Sequence, residues 1–573
     1  MGMLSGYDKI EQEREAKYGK RYKWIALSNT TLGGLMAAIN SSILIISLPA
    51  LFRGLGVNPI VSSNIGVLLW ILLGYLIVSS VAVVSIGRLS DMFGRVKLYN
   101  LGFLIFTVFS VLLYASSYLL TGTIGVFSII ILRLFQGLGG AFLIANSTAI
   151  LTDAFPSNER GKAMGFNQIA AVGGGLAGLL LGGVLASVDW HLIFLVSVPF
   201  GIAGTIWAYL ALHEIATIKK GQKIDVYGNI TFAASITIIL LALTYTLLPY
   251  DGRSMGWTNP VVISAIALGI ILMGLFVYIE GKVKDPMIHI NLFKIRAFAA
   301  GNFSLLLAGI ARGGLQLMLI IWLQGIWLPL HGVSFSNTPL EAAIYMIPLI
   351  IGFLIFGPAS GYLSDKYGAR LLATIGMGIN VIGFAALSLF PADFSIIPFE
   401  IAIFILGAGQ GMFAAPNTAA IMNALPPEQR GAGSGVRATF TNISFMFSLV
   451  IFFTILVVGM SSSLPGTLYK GLVSENISQS VAQQISSLPP TTALFTALLG
   501  YNPLKTIIPA NALSTIPSSN QAVIFGNRFF PNLISLPFMD GLRIVFIIAA
   551  IISFVAMVVS ALRGPKYIHG TKR

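Results

Sequence analysis

The chain has 573 residues, of which 56% are hydrophobic and 9% charged, with a mean hydropathy of +0.87 and a net charge of +14. Soluble domains carry about 25% charged residues, so this composition cannot cover a water-facing surface and excludes a soluble protein. Cysteine is absent, which excludes disulfides and thiolate metal sites.

In chain order, residues 1–23 are hydrophilic and lack a short apolar region with a small-residue cleavage site, so they read as a cytosolic tail entering a retained span. Apolar runs long enough to cross a hydrocarbon layer about 30 Å thick then follow. They predict fourteen spans starting near Trp24, Asn64, Lys97, Thr123, Ala163, Leu192, Gly228, Asn259, Phe298, Glu341, Leu371, Pro398, Gly435 and Asp540. Lys and Arg concentrate in the tails and even-numbered loops, with Arg430 and Arg437 assigned to the loop before span 13. This bias predicts both termini in the cytoplasm of a multi-pass plasma-membrane protein. The positive charge is therefore a topology signal, with no nucleic-acid partner expected. Residues 459–537 read as a long external loop, either partly ordered or folded as a hairpin shielding the outer mouth; Asn476-Ile-Ser within it fits a glycosylation acceptor.

Three phrases occur twice. Gly87-Arg-Leu-Ser-Asp-Met-Phe-Gly-Arg-Val-Lys-Leu98 returns at Gly361–Leu372, an offset of 274. Gly140–Leu151 matches Gly411–Met422 at 271, and Pro156–Gly165 matches Pro426–Gly435 at 270. Matches in one order at nearly one offset mean an internal duplication. Spans 1–6 repeat as spans 9–14, with spans 7 and 8 inserted. The predicted fold is an all-α membrane protein of two parallel six-helix bundles plus a helix pair. Its divisions are an N-tail (1–23), a first bundle (24–212), a linker with two spans (213–297), a second bundle (298–562) and a C-tail (563–573). Two such halves with a site between them suit a transporter.

These residues resemble the major facilitator superfamily, in particular its fourteen-helix drug/proton antiporters. Gly87 to Arg95 resembles the signature between spans 2 and 3, Arg133 to Ala141 the span-4 motif, and Gly174 to Gly183 the span-5 antiporter motif; Trp70, Tyr75 and Leu323-Gln324 also fit. The family motif has a Pro where this chain has Leu179, and drug antiporters usually have an Asp where it has Asn40.

In the repeated phrase the glycines permit a tight turn, and Asp91 and Arg95 can pair or face helix ends across the seam. The expected gate comprises Gly87, Arg88, Asp91, Gly94, Arg95, Gly361, Asp365, Gly368 and Arg370; the alternative is a solvated loop that only fixes topology. Gly174, Gly178 and Gly182, with Gly183, make a small-residue ridge for close helix packing. Arg133 and Arg312 lie near mid-depth, where charge is costly and usually functional, unless they merely brace packing. The resemblance puts both on a central cavity. The expected substrate and proton pathway is Asn40, Trp70, Tyr75, Arg133, Gln136, Arg312, Gln316, Gln410 and Asn417.

No acid stands at mid-span, since Glu280, Glu341, Glu400 and Asp540 all lie near span ends, and the five histidines are also off mid-depth. Asn40 cannot titrate. A net-positive cavity predicts neutral or anionic amphipaths over lipophilic cations. Walker, HExxH and G-x-S-x-G motifs are absent, so no enzyme, cofactor or metal is expected. The resemblance implies export of amphipathic compounds by alternating access against protons, by a functional monomer. The alternatives are uncoupled or anion-coupled movement of a metabolite, and a receptor or lipid-handling scaffold that no longer transports.

Overall fold

The computed structural model describes residues 19, 21–56, 62–156, 159–215, 225–248, 250–253, 255–284, 286, 288, 290–335, 337–498, 502–509, 513 and 516–565. Most of the basic N-tail, Lys219, Lys220, Lys223, His289, His569 and the end of the C-tail lie outside them. Fourteen helices among the described residues are long and apolar enough to cross a membrane. In the first half these are α1 (Tyr22–Gly54), α2 (Ser62–Phe93), α3 (Arg95–Leu119), α4 (Gly122–Ala154), α5 (Arg160–Val188) and α6 (Ser197–Ala211). The inserted pair is α7 (Val226–Thr246) and α8 (Pro260–Glu280). The second half has α9 (Arg296–Leu330), α10 (Thr338–Tyr367), α11 (Ala369–Ser388), α12 (Ile396–Asn423), α13 (Arg430–Ser474) and α14 (Phe529–Ala561). An even number of crossings brings α1 and α14 back to one side, called here the tail face.

Exposed Leu, Ile, Val and Phe side chains run along the outer helices, as lipid contact requires. Inside each half the helices approach closely through small residues. A Cβ added at Gly174, Gly178 or Gly182 of α5 would lie 2.7 Å from Leu35 O, 2.5 Å from Ile39 O and 2.3 Å from Ile46 Cγ2 of α1. In lipid, packing of this kind replaces the hydrophobic drive for association. Gly183 faces elsewhere, toward Leu340 at the start of α10.

Two stretches depart from the expected layout. Residues 459–537 are not a loop at their ends, because α13 continues to Ser474 and α14 begins at Phe529 rather than near Asp540. The polar Ser461-Ser-Ser463 and Pro465 read as a span end, yet Leu464, Leu468 and Leu472 follow at helical spacing and are fully buried. They join a core with Ala482, Ile485, Leu504, Ile524, Leu533 and Ile534. Short helices at Gln479–Ser486, Pro490–Leu498, Leu504–Ile507 and Ser518–Ile524 complete a helical cap opposite the tail face. Asn476 is exposed on this cap with φ 63°, just after the end of α13.

The second departure is α9, which is broken. Its first helix ends at Gly313, and a π-helical turn follows at Leu323–Trp327. The Gly314 N–H at the break donates to Ser448 Oγ of α13 at 2.7 Å, which meets the requirement that backbone groups in lipid be satisfied internally. The cap helix Pro490–Leu498 rests on the π turn, where a Cβ at Gly325 would lie 3.1 Å from Ala497 Cβ.

Candidate functional site

Four helix faces build the polar interior of the first half. Arg133 on α4 is 2% exposed, and its guanidinium lies over the Tyr75 ring of α2 at 5.4 Å. Its Nε donates to Ile71 O (3.1 Å), and its Nη1 reaches Asn40 Oδ1 of α1 (3.3 Å) and Gln136 Oε1 (3.4 Å). Gln136 in turn donates to Ser110 Oγ of α3 at 2.8 Å. Neutral oxygens and a ring face hold this cation, with no carboxylate among these partners. The Tyr75 hydroxyl is buried without a partner, against the bare Cα of Gly140. Trp70 is half-buried one turn earlier, its ring edge beside Gly74.

The second half places Arg312 differently. It is the penultimate residue before the α9 break, and makes no hydrogen bond or ion pair among the described residues. It lines a cavity of about 50 Å³ with Asn380, Gln410, Thr441 and Ser553. Gln410 Nε2, Asn380 Oδ1 and Ser553 Oγ are buried and unpartnered, so this small space is polar and incompletely satisfied. Such a space holds water or the polar end of a ligand. Gln316 is half-buried on the far side of the break and does not line it. Asn417 is also elsewhere, near the tail face, where it donates to Gly301 O (3.1 Å) and accepts from Arg563.

On the tail face each copy of the repeated phrase meets a helix N-terminus of the opposite half. Asp91 Oδ1 and Oδ2 accept the N–H groups of Gly431 and Ala432, both at 2.9 Å, at the start of α13. Arg95 donates to Asp91 Oδ1 (2.7 and 3.0 Å), to Pro427 O (2.8 Å) and to Asp153. Asp153 also accepts from Arg430 at 2.9 Å. At the second seam Asp365 accepts from the N–H groups of Gly161 (3.0 Å) and Lys162 (3.1 Å) at the start of α5, and Arg160 donates to Asn423 Oδ1 at 2.7 Å. Unpaired N–H groups and the helix dipole make each helix start a favourable place for a carboxylate. Gly87 and Gly361 let the backbones touch, since a Cβ at either would lie 2.4 Å from the carbonyl of Gly431 or Gly161. Gly94 and Gly368 turn the chain with φ 105° and 88°. Arg88 is buried with Nη2 unpartnered, and Arg370 is exposed.

The profile of the Major Facilitator Superfamily matches residues 30–449, most of this layout. The chain belongs to the major facilitator superfamily. As a superfamily member it is a transporter of small molecules across a membrane and not an enzyme. It is similar to the riboflavin transporter RibZ of Clostridioides difficile, at 29% identity over 75% of this chain and 88% of that one. Multidrug transporter protein MdtP of Bacillus subtilis is 23% identical over 94% of this chain and 92% of that one. Among solved structures the proton:xylose symporter XylE shares the fold, with a TM-score of 0.52 at 14% identity over 86% of this chain and 97% of that one.

In this superfamily member several interior groups were not singled out in the sequence. Arg437, assigned to a loop, lies inside α13, because that helix starts at Arg430 rather than Gly435. It donates across the halves to Thr148 Oγ1 of α4 at 3.0 Å. Asp153, Arg160, Asn423 and Arg430 were legible in principle: the offset of 270 pairs Asp153 with Asn423 and Arg160 with Arg430.

Proposed function

We propose that this transporter exports small amphipathic compounds by alternating access, with substrate between the halves and protons as counter-ion. In this reading both termini lie in the cytoplasm of a plasma-membrane protein, and one chain holds the whole pathway. The carrying observation is a guanidinium placed inside each half, Arg133 buried on neutral partners and Arg312 accessible beside unpartnered polar atoms, with no carboxylate lining either place among the described residues. A cavity of that charge favours neutral or anionic amphipaths over lipophilic cations. The tail-face seams supply contacts that form in one conformation and break in the other. Drug export is further supported by relatives such as MdtP and the tetracenomycin C resistance and export protein of Streptomyces glaucescens.

A second reading, uncoupled or anion-coupled transport, is favoured by one feature. The position opposite Arg133 is Asn40, whose amide accepts a hydrogen bond but does not titrate. The test is purified protein in vesicles under an imposed pH gradient, challenged with cationic, neutral and anionic amphipaths. Protein-dependent collapse of the gradient by a transported compound supports antiport; transport with the gradient intact supports the second reading. Arg133→Ala and Arg312→Ala should each lower uptake of an anionic amphipath at least about tenfold, the scale of about 1.4 kcal/mol. Unchanged anion uptake in both variants would refute the charge argument.

A further inference from the structure

One cavity lies away from both arginine clusters. It holds about 530 Å³ on the tail face of the second half, between the starts of α9 and α11, the ends of α10 and α12, and the end of α14 with the residues after it. Its wall contains Arg563, which is 3% exposed. One nitrogen of this guanidinium, Nη2, donates to Asn417 Oδ1 and to Ser304 Oγ (3.4 Å). Nε and Nη1 are buried with no acceptor. Burial pushes the Arg563 pKa down to about 10, so the group is still a cation at neutral pH. A buried cation with two unused donor nitrogens is costly unless an anion completes it.

The rest of the wall fits that completion. Arg370 is exposed and also lines the cavity, and the Arg296 guanidinium lies close by, donating to Leu562 O at 3.0 Å next to Arg563. Thr374 Oγ1, in the same wall, is buried without a partner. The one carboxylate there, Asp365, accepts from two backbone N–H groups of the seam. Leu371 and several alanines make the remainder apolar.

We infer that this cavity binds a phosphate ester, with Arg563 and Arg370 as its charged contacts and Thr374 as a hydroxyl contact. A tetrahedral phosphate offers several acceptor oxygens to converging guanidinium groups, and the volume far exceeds what a bare carboxylate needs. The apolar wall and the place at the ends of five spans suit a phospholipid headgroup, and the same donors suit a soluble phosphate. Because Ser364 and Asp365 form both this wall and the second seam, an occupant is positioned to bias the seam.

The test uses the full chain, purified and stripped of lipid, with binding followed by native mass spectrometry and by the thermal unfolding midpoint. Phosphatidylglycerol and inorganic phosphate are titrated separately. Binding of phosphatidylglycerol that inorganic phosphate does not displace identifies a lipid; displacement by phosphate identifies a soluble phosphate ligand. In either case Arg563→Gln and Arg370→Gln should each weaken binding at least about tenfold. Arg370 is exposed, so its variant remains readable even where Arg563→Gln does not fold. Absence of binding by both probes, or Arg370→Gln binding like the parent, overturns the inference.

Discussion

At the first seam Asp91 shares its carboxylate between two backbone N–H groups of α13 and the buried Arg95, which continues through Asp153 to Arg430. At the second seam Asp365 meets the same two backbone groups of α5, but the positions equivalent to Arg95 and Asp153 are Ala369 and Asn423 (95 + 274 and 153 + 270). Among the described residues the carboxylate-to-helix contact occurs at both seams, and the network of Asp91, Arg95, Asp153 and Arg430 at the first. The common part is what the geometry of a parallel repeat needs. The network is an addition that makes one seam electrostatically stiffer than the other.

The largest effect should come from Asp91→Ala, which uncaps the start of α13 and takes from buried Arg95 one of its two carboxylates, leaving Asp153. Breaking a buried pair in this way costs about 3–5 kcal/mol, and the loss should appear as a lowered thermal midpoint in detergent. Asp365→Ala removes the corresponding helix contacts of α5, whose loss should cost about 2 kcal/mol, less than the loss at Asp91. Equal losses at the two positions would show that the ion pairs add nothing. Gly87→Ala and Gly361→Ala probe the shared part instead. Each puts a Cβ against a backbone carbonyl, so both should lose about 1–3 kcal/mol by overpacking, and by like amounts. Asn423→Asp is the smallest change, placing a carboxylate at the Arg160 contact as Asp153 is placed at Arg430. A gain of about 1 kcal/mol is expected from the charge-assisted bond, read as a raised midpoint.

Much of this arrangement was legible because it rests on period and repetition. Hydrophobic runs gave the fourteen crossings, and the doubled phrase located both carboxylate contacts, since a Gly-x-x-x-Asp segment has to bring its backbone and its charge to one place. The Arg133 cluster was readable for a similar reason, as a charge at mid-depth needs partners. What escaped depended on where helices stop. Arg437 read as a loop residue because the glycines of Arg430-Gly-Ala-Gly-Ser-Gly looked like punctuation, whereas they are close-packing positions inside α13; Gly435, for example, lies against Val83 and Val84. The extension of α13 into the cap escaped because serines and Pro465 hid an apolar stripe that is buried by Leu533 and its neighbours, a tertiary partner far along the chain. Gln316 follows Arg312 by one helical turn in the sequence, but the break in α9 comes between them; that break, and the bonds of Asn417 to Gly301 and Arg563, lie beyond any local pattern.

The central claim is that these seams open and close during transport. The chain has no cysteine, so an introduced pair carries no background. Ser80 of α2 and Thr439 of α13 face each other across the halves, with Thr439 Oγ1 donating to Ser80 O at 3.2 Å. The measurement is substrate uptake by Ser80→Cys/Thr439→Cys protein in vesicles, oxidised and then reduced. The account predicts that the cross-link stops uptake and that reduction restores it. Full uptake by fully cross-linked protein would contradict it.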